Sequence, residues 1–168
     1  MSPIAQTETL SAGQAAGQAA GQAARKRRLA LLARAERARL ETAWAELPQR
    51  PGYRMLKPAE TGLVMLRGRA GGVGQRFNLG EMTVSRCVVV LDDEGASMGV
   101  GYVQGRDRRK AELVALFDAL AQQDHHAAQI ERDLLAPLEQ HLNRQRAVRA
   151  AKVAATKVDF FTMVRGED

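Results

Sequence analysis

Residues suited to binding an anion are concentrated between Pro58 and Cys87. Glycine lacks a Cβ and tolerates positive φ, so backbone amides at glycines can approach a bound group closely. Arginine offers a planar fork of donors that suits a carboxylate or a phosphate. We therefore expect an anion-facing surface between two strands, with the candidate residues Arg67, Arg69, Gly71, Gly72, Gly74, Arg76 and Arg86.

A simpler interpretation of the same stretch is a hairpin whose loop needs glycines to turn and whose arginines point into water. The apolar run Leu63–Leu66 predicts one strand, and a second extended run begins near Glu81. The P-loop signature is absent, because no Gly-Lys-Ser/Thr follows the glycines. The glycines also lead into a strand, so no helix dipole would help to hold an anion. Both interpretations stay open on these residues alone.

Other reactive residues do not form a recognisable reaction centre. The single cysteine, Cys87, cannot form an internal disulfide and fits a reducing compartment, so we expect a cytoplasmic protein. His125 and His126 are neighbours whose side chains diverge on a helix, and His141 stands alone, which does not favour a metal site. No nucleophile–base pair or carboxylate pair stands out, and we predict no catalytic residue.

The positive charge is concentrated at the N-terminal end of the chain. Of the net +6, residues 1–50 contribute eight Lys/Arg against four Asp/Glu, and residues 51–168 contribute seventeen against fifteen. The body is therefore nearly balanced and aromatics make up only 4%, which does not favour nucleic-acid binding. No run approaches the ~18 apolar residues of a membrane span.

The N-terminal region divides into an arm and a helix. Residues 12–23 repeat AGQA three times, and glycine at every fourth position with no large apolar side chain predicts a disordered arm over 1–24. Leucines and Trp44 at helical spacing predict a helix over 27–47, which ends at Pro48. We expect one folded domain over 25–168.

The central and C-terminal regions alternate between extended and helical patterns. They predict an α+β fold in which an antiparallel sheet over 53–104 has helices on one side or at one end. Asp107 should cap the helix that follows the sheet, and Pro137 should kink a later helix or start a new segment. The basic, Ala-rich surface from Arg144 to Lys157 should face a partner or water. The predicted strands are 53–56, 63–66, 82–91 and 97–104, and the predicted helices are 108–123 and 128–156.

The last residues are unusually apolar for a chain end. Two phenylalanines, a methionine and two valines fall within seven residues of Val158–Val164. Such a segment needs burial, either as a further strand of the domain's own sheet over 158–165 or against another chain. The candidate interface residues are Phe160, Phe161, Met163 and Arg165.

Four ordered blocks of this chain resemble the PhnG family of the bacterial carbon–phosphorus lyase core complex. They are AETGLVMLRGRAGGVGQRFNLGEMTVSRC at 59–87, GYVQGRD at 101–107, LLAPL at 134–138 and VDFFTMVRGE at 158–167. The resemblance covers roughly residues 25–168, all but the repeat arm.

The resemblance implies a non-catalytic or accessory subunit that acts with PhnH, PhnI, PhnJ and PhnL. The step it implies is the displacement of adenine from ATP by a phosphonate such as methylphosphonate, giving α-D-ribose 1-methylphosphonate 5-triphosphate. ATP would be the substrate of the complex, with no cofactor held by this subunit alone. The arginines of the Gly-rich stretch, together with Glu81 and Arg106, would then contact a triphosphate or a neighbouring subunit. The alternatives are a stand-alone nucleotide- or phosphate-binding enzyme and a nucleic-acid-binding protein.

Overall fold

An antiparallel sheet with strand order β1-β2-β3 carries the fold in the computed structural model, which describes residues 3–71, 73–93 and 95–157. Side chains of the first helix are described from residue 16 onward. In chain order the elements are α1 (Pro3–Leu32), α2 (Arg37–Ala45), β1 (Tyr53–Arg69), β2 (Arg76–Leu91), β3 (Met98–Gln104), α3 (Arg108–Leu120), α4 (Asp124–Ile130), a π-helical turn (Glu131–Leu135) and α5 (Ala136–Ala155).

The first two strands form a hairpin much longer than the rest of the sheet. β1 and β2 pair from Tyr53↔Leu91 to Arg69↔Arg76, whereas β3 pairs only with the Val84–Val90 part of β2. β1 has register shifts on both sides of Lys57, next to Pro58, which has no N–H to donate to a ladder. These bulges let the strand continue, so the two short pieces predicted at 53–56 and 63–66 belong to one strand.

Helix α3 lies unusually close to β3. A Cβ on Gly99 would lie 1.9 Å from the carbonyl oxygen of Ala115, and one on Gly101 would lie 1.8 Å from that of Ala111. The helix backbone therefore rests directly on the strand, which only glycine permits. Side chains of β2 that share this face, such as Cys87 and Val89, complete the contact. The predicted α+β fold, with helices on one side of an antiparallel sheet, is confirmed.

Helix α3 is also covered on its other side. Ten successive residues, 111–120, are buried, so the helix needs a second layer opposite the sheet. α1 and α2 provide part of that layer through Leu32, Leu40 and Trp44, and the ring of Trp44 meets Phe117 edge-on at 6.2 Å between centroids. Leu134 and Leu138, from the π-helical turn and α5, complete it. The core thus lies on both sides of one helix.

A buried carboxylate joins the first helix to this assembly. Asp118 of α3 has no exposed surface. Its Oδ2 lies 2.6 Å from Nη2 of Arg25 and accepts a hydrogen bond from the backbone N–H of Val100 at 3.1 Å. Arg28 approaches the other carboxylate oxygen at 3.7 Å. The group holds α1, α3 and the outer edge of β3 together.

One prediction for the N-terminal region was wrong. The helix expected over 27–47 is interrupted at 33–36, where Glu36 is extended, and this bend lets Leu32 and Leu40 enter the same core. The disorder predicted over 1–24 stays a prediction, and α1 itself begins at Pro3. The alanines and glutamines between the glycines have good helix propensity, so the helix can continue outward from the packed end of α1. Residues 16–24 of this extension are all exposed.

Several local signals were confirmed. Asp107 caps α3 by accepting a hydrogen bond from the N–H of Lys110 at 2.9 Å, although the helix ends at Leu120 and not at 123. Pro137 is the second residue of α5, which follows the π-helical turn directly, and a missing N–H is tolerated at the start of a new segment. The strand predicted over 158–165 lies outside the described residues.

The close approach of α3 to β3 predicts that Gly101→Ala destabilises the fold severely. Its methyl group would meet helix backbone that cannot move aside, so we expect the free energy of unfolding to fall by about 3 kcal/mol or more. Urea denaturation followed by circular dichroism measures this. Gly62→Ala is the control, because nothing lies within 4 Å of its added Cβ. Equal unfolding midpoints for the two variants would contradict the contact.

The buried carboxylate predicts a smaller loss for Asp118→Asn. Removing the charge leaves Arg25 and Arg28 without their counter-ion, but the Arg25 side chain is 35% exposed and stays partly hydrated. We expect a loss of about 2 kcal/mol, below the range for a fully buried pair. Asp133→Asn, which breaks an exposed pair with Arg132, should change stability by less than about 0.5 kcal/mol. A null result for Asp118→Asn in the same urea titrations would rule out this anchoring role.

Candidate functional site

The Gly-rich stretch forms the tight end of the long hairpin. Gly71 has φ of 58°, and the N–H of Gly74 donates to the carbonyl of Ala70 at 3.1 Å. A Cβ on Gly74 would lie 2.6 Å from that same carbonyl oxygen, so the turn requires glycine there. The need to turn therefore accounts for Gly71 and Gly74, as the simpler interpretation held. Gly72 lies outside the described residues.

Three of the predicted arginines meet at this turn, which we call the hairpin tip (residues 67–76). Arg67, Arg69 and Arg76 line one concave surface with Gly74, and Arg69 is the register partner of Arg76. Within the described part of the chain, none of the three guanidiniums has an ion pair or hydrogen bond. Residues 61–80 contain no Asp or Glu. The tip therefore presents three uncompensated positive charges, which suit a polyanion.

The remaining predicted residues lie nearer the base of the hairpin. Glu81 and Arg86 follow Arg76 by five and ten residues along β2, or roughly 16 and 33 Å at ~3.3 Å per residue. Arg106 follows Gly105, whose N–H donates to the carbonyl of Thr83 at 2.9 Å. The described members of this predicted set thus divide into a tip group and a base group, and one phosphate chain is too short to span both. Phe160, Phe161, Met163 and Arg165 lie outside the described residues.

Arg86 already has a partner in the chain. Its Nε donates to Oε1 of Glu60 at 2.6 Å, and Nζ of Lys57 lies 2.9 Å from the same oxygen. The hydrogen bond from Lys57, followed by that from Arg86, lowers the pKa of the Glu60 carboxyl. Arg86 thus has a counter-ion within the chain, unlike the three arginines of the tip.

The strands behind the tip expose apolar side chains on both faces. From Gly62 to Thr83 none of the described residues is buried. Because alternate residues of a strand face opposite sides, Leu63 and Met65 lie on the face that α3 covers further along, and Leu66 lies on the other. Phe77 and Leu79 lie beside Gly68 on that second face. We call residues 62–83 the hairpin arm; its most exposed apolar side chains are Leu63, Met65, Val73, Phe77 and Leu79.

The lone thiol, Cys87, is buried, and the Glu112 carboxylate whose charge acts on it is not a free base. Both oxygens of Glu112 are engaged: Oε1 accepts from the Tyr53 hydroxyl at 2.5 Å, and Oε2 lies 2.9 Å from Nη1 of Arg109. Burial, with a smaller effect of the Glu112 charge, raises the pKa of the Cys87 thiol to about 11. A neutral, inaccessible thiol is a poor nucleophile, so we assign Cys87 a structural role.

A second basic surface was not assigned to a site by sequence reasoning. Arg34 lies beside Arg144, Arg149 and Lys152 of α5, and residues 143–157 are all exposed. The basic composition from Arg144 onward was visible in the sequence, but the proximity of Arg34 needed the fold. Among the described residues, no group of three or more His, Cys, Asp or Glu could share a metal ion. No helix in the described part of the chain is both long and apolar enough to cross a bilayer.

Comparisons with known proteins match nearly the whole chain. The family model described as "Phosphonate metabolism protein PhnG" matches residues 23–166. The α-D-ribose 1-methylphosphonate 5-triphosphate synthase subunit PhnG of Rhizobium meliloti (strain 1021) is 45% identical over 144 residues, which cover 86% of this chain and 90% of that protein. The hairpin arm, the three-stranded sheet and helices α2 to α5 all lie within the range matched by the family model.

The structural role assigned to Cys87 predicts that its thiol reacts slowly with alkylating reagents in the folded protein. At pH 8 a thiol with this pKa has only about one molecule in a thousand as thiolate, and the side chain is 2% exposed. We expect labelling by a maleimide to be at least about 100-fold slower in buffer than in unfolding urea. A cysteine introduced by Val148→Cys, at a position 57% exposed, should react fast in the same molecule. Equal rates at the two positions would contradict the assignment.

Proposed function

This chain belongs to the PhnG family of phosphonate metabolism proteins, and from that premise we propose that it is a subunit of α-D-ribose 1-methylphosphonate 5-triphosphate synthase. The observation that carries the proposal is the 45% identity to a subunit of that name over 86% of this chain. We place it in the cytoplasm, in a complex with PhnH, PhnI, PhnJ and PhnL. The complex would displace adenine from ATP with methylphosphonate and leave the triphosphate on the ribose.

The role we propose for this subunit is to supply binding surfaces to the complex. The described residues contain one thiol, which is buried and neutral, and the carboxylate of Glu112, whose two oxygens both have partners. Neither group suits proton transfer or nucleophilic attack. A tip that carries three unpaired guanidiniums fits a supporting task, namely to hold phosphate groups while partner subunits supply the chemistry.

The hairpin tip is the part of this chain that we propose meets the triphosphate. Arg67, Arg69 and Arg76 share one concave surface, and the nearest acidic residues in sequence are Glu60 and Glu81, outside the tip. Guanidiniums bind phosphate oxygens through paired, charge-assisted hydrogen bonds. The triphosphate is present in both the substrate and the product of the proposed reaction. Arginine contacts to the triphosphate would therefore position the ribose, and the same contacts would persist from substrate to product.

The tip assignment predicts that Arg67→Ala, Arg69→Ala and Arg76→Ala impair the synthase while the complex still assembles. We expect about tenfold less adenine released from ATP for each single variant, with a larger loss for the triple variant, because each loses a charge-assisted contact. Adenine release by the purified complex, in the presence of methylphosphonate, is measured by chromatography.

Arg54→Ala is the matched control for these variants. Arg54 is also an exposed arginine of β1, but it lies thirteen residues from Arg67, roughly 40 Å along the strand. It should release adenine at the wild-type rate. Full activity of the assembled triple variant would show that the tip does not hold the triphosphate. Binding of ATP by the isolated chain, with turnover, would instead favour a stand-alone enzyme.

A further inference from the structure

The hairpin arm is too apolar to be stable in water by itself. A two-stranded ribbon without a third strand or a covering helix is marginally stable. β3 ends its pairing at Val84, and the N-terminal end of α3 reaches only to Thr61, where Arg108 donates to the hydroxyl at 3.5 Å. Beyond that point, β1 continues for eight residues to Arg69. The arm therefore extends roughly 25 Å past its support.

Both faces of this arm need covering. Leu63 and Met65 are 62% and 50% exposed on one face, while Phe77 and Leu79 are 46% and 65% exposed on the other. A flat partner surface would cover one face of the arm and leave the other in water. Clusters of exposed apolar side chains on this scale mark contacts with other molecules.

We propose that the hairpin arm inserts into a cleft of a partner subunit whose two walls are apolar and whose far end holds an anion. The inference rests on the proposed function and deepens it, because it states which element of the chain joins the complex. The walls cover the two apolar faces. The anion at the far end meets Arg67, Arg69 and Arg76, and the bound triphosphate supplies it.

The size of the arm is sufficient for this role. Two strands about 10 Å wide and about 25 Å long offer roughly 500 Å² on their two faces. A specific interface of standard size takes about 800 Å² from each partner. The arm thus supplies most of one such interface, and the adjoining sheet surface around Tyr102, 48% exposed, extends it.

A second copy of this chain fits the arm less well than a cleft. Pairing two arms through their β1 edges would satisfy backbone groups, but both apolar faces of the joined ribbon would stay in water. Stacking two arms face to face would cover one face of each and leave the other exposed. Neither arrangement supplies an anion to a tip with net charge +3 over residues 61–80.

The test replaces one face of the arm at a time in the full chain and measures its assembly with the other subunits of the synthase. Leu63→Thr with Met65→Thr alters one face, and Leu66→Thr with Leu79→Thr alters the other. Threonine keeps the strand preference while removing apolar surface. We expect each pair to weaken binding to the remaining subunits by about tenfold or more, measured by calorimetry or by loss from the copurified complex.

The matched control is Val148→Thr with Val153→Thr, which removes comparable apolar surface from α5 at residues 57% and 65% exposed. It should assemble like the wild type. Circular dichroism and urea midpoints of all three variants should equal those of the wild type, since every altered side chain is exposed or nearly so.

The outcomes separate this inference from the proposed function. If the wild type binds and either arm variant binds equally well, that face is not covered and the cleft is ruled out, while the subunit role stands. A wild-type chain that forms dimers alone, and loses them in the arm variants, would assign the arm to a second copy. If the wild type binds no synthase subunit at all, the proposed function itself fails.

Discussion

The contact between two backbones, α3 on β3, is the constraint on which the rest of this structure depends. At Gly99 and Gly101 a single methyl group would lie within 2 Å of a helix carbonyl oxygen. This approach fixes which face of the sheet becomes the core and buries α3 on the sheet side. Because ten successive residues of α3 are then buried, a second layer must cover the opposite side. The bend at 33–36 and the ion pair of Arg25 with Asp118 both serve that layer.

The same contact sets the limits of the supported sheet. α3 has 13 residues and β3 has seven, so together they cover only the inner part of strands that are 17 and 16 residues long. The surplus length of β1 and β2 becomes the hairpin arm. The exposure of its apolar side chains and unpaired arginines is therefore a consequence of the unequal lengths of the strands and of the helix that covers them. They lie outside the part of the molecule that stabilises the fold.

Local signals in the sequence predicted much of this structure, while contacts distant in sequence were not predictable from it. Asp107 before a helical pattern and Pro137 within one depend on neighbouring residues, and both behave as expected. Glycines near residue 72 identified the turn and its arginines for the same reason. Gly99 and Gly101 carried no such signal, because their need for glycine comes from a helix about ten residues or more away. Whether Arg86 is paired likewise depended on Glu60, 26 residues earlier.

Because the hairpin arm lies outside the part that stabilises the fold, its charged tip limits which partners it can dock against. Guanidiniums moved from water into an apolar cleft lose hydration, and an unpaired buried charge costs several kcal/mol. If the arm docks as proposed, its three tip arginines therefore require anionic partners at the end of the cleft. When those partners are phosphate groups, docking and triphosphate binding stabilise each other, since each reduces the desolvation cost of the other. By this argument, the strength of assembly would depend on whether the triphosphate is bound.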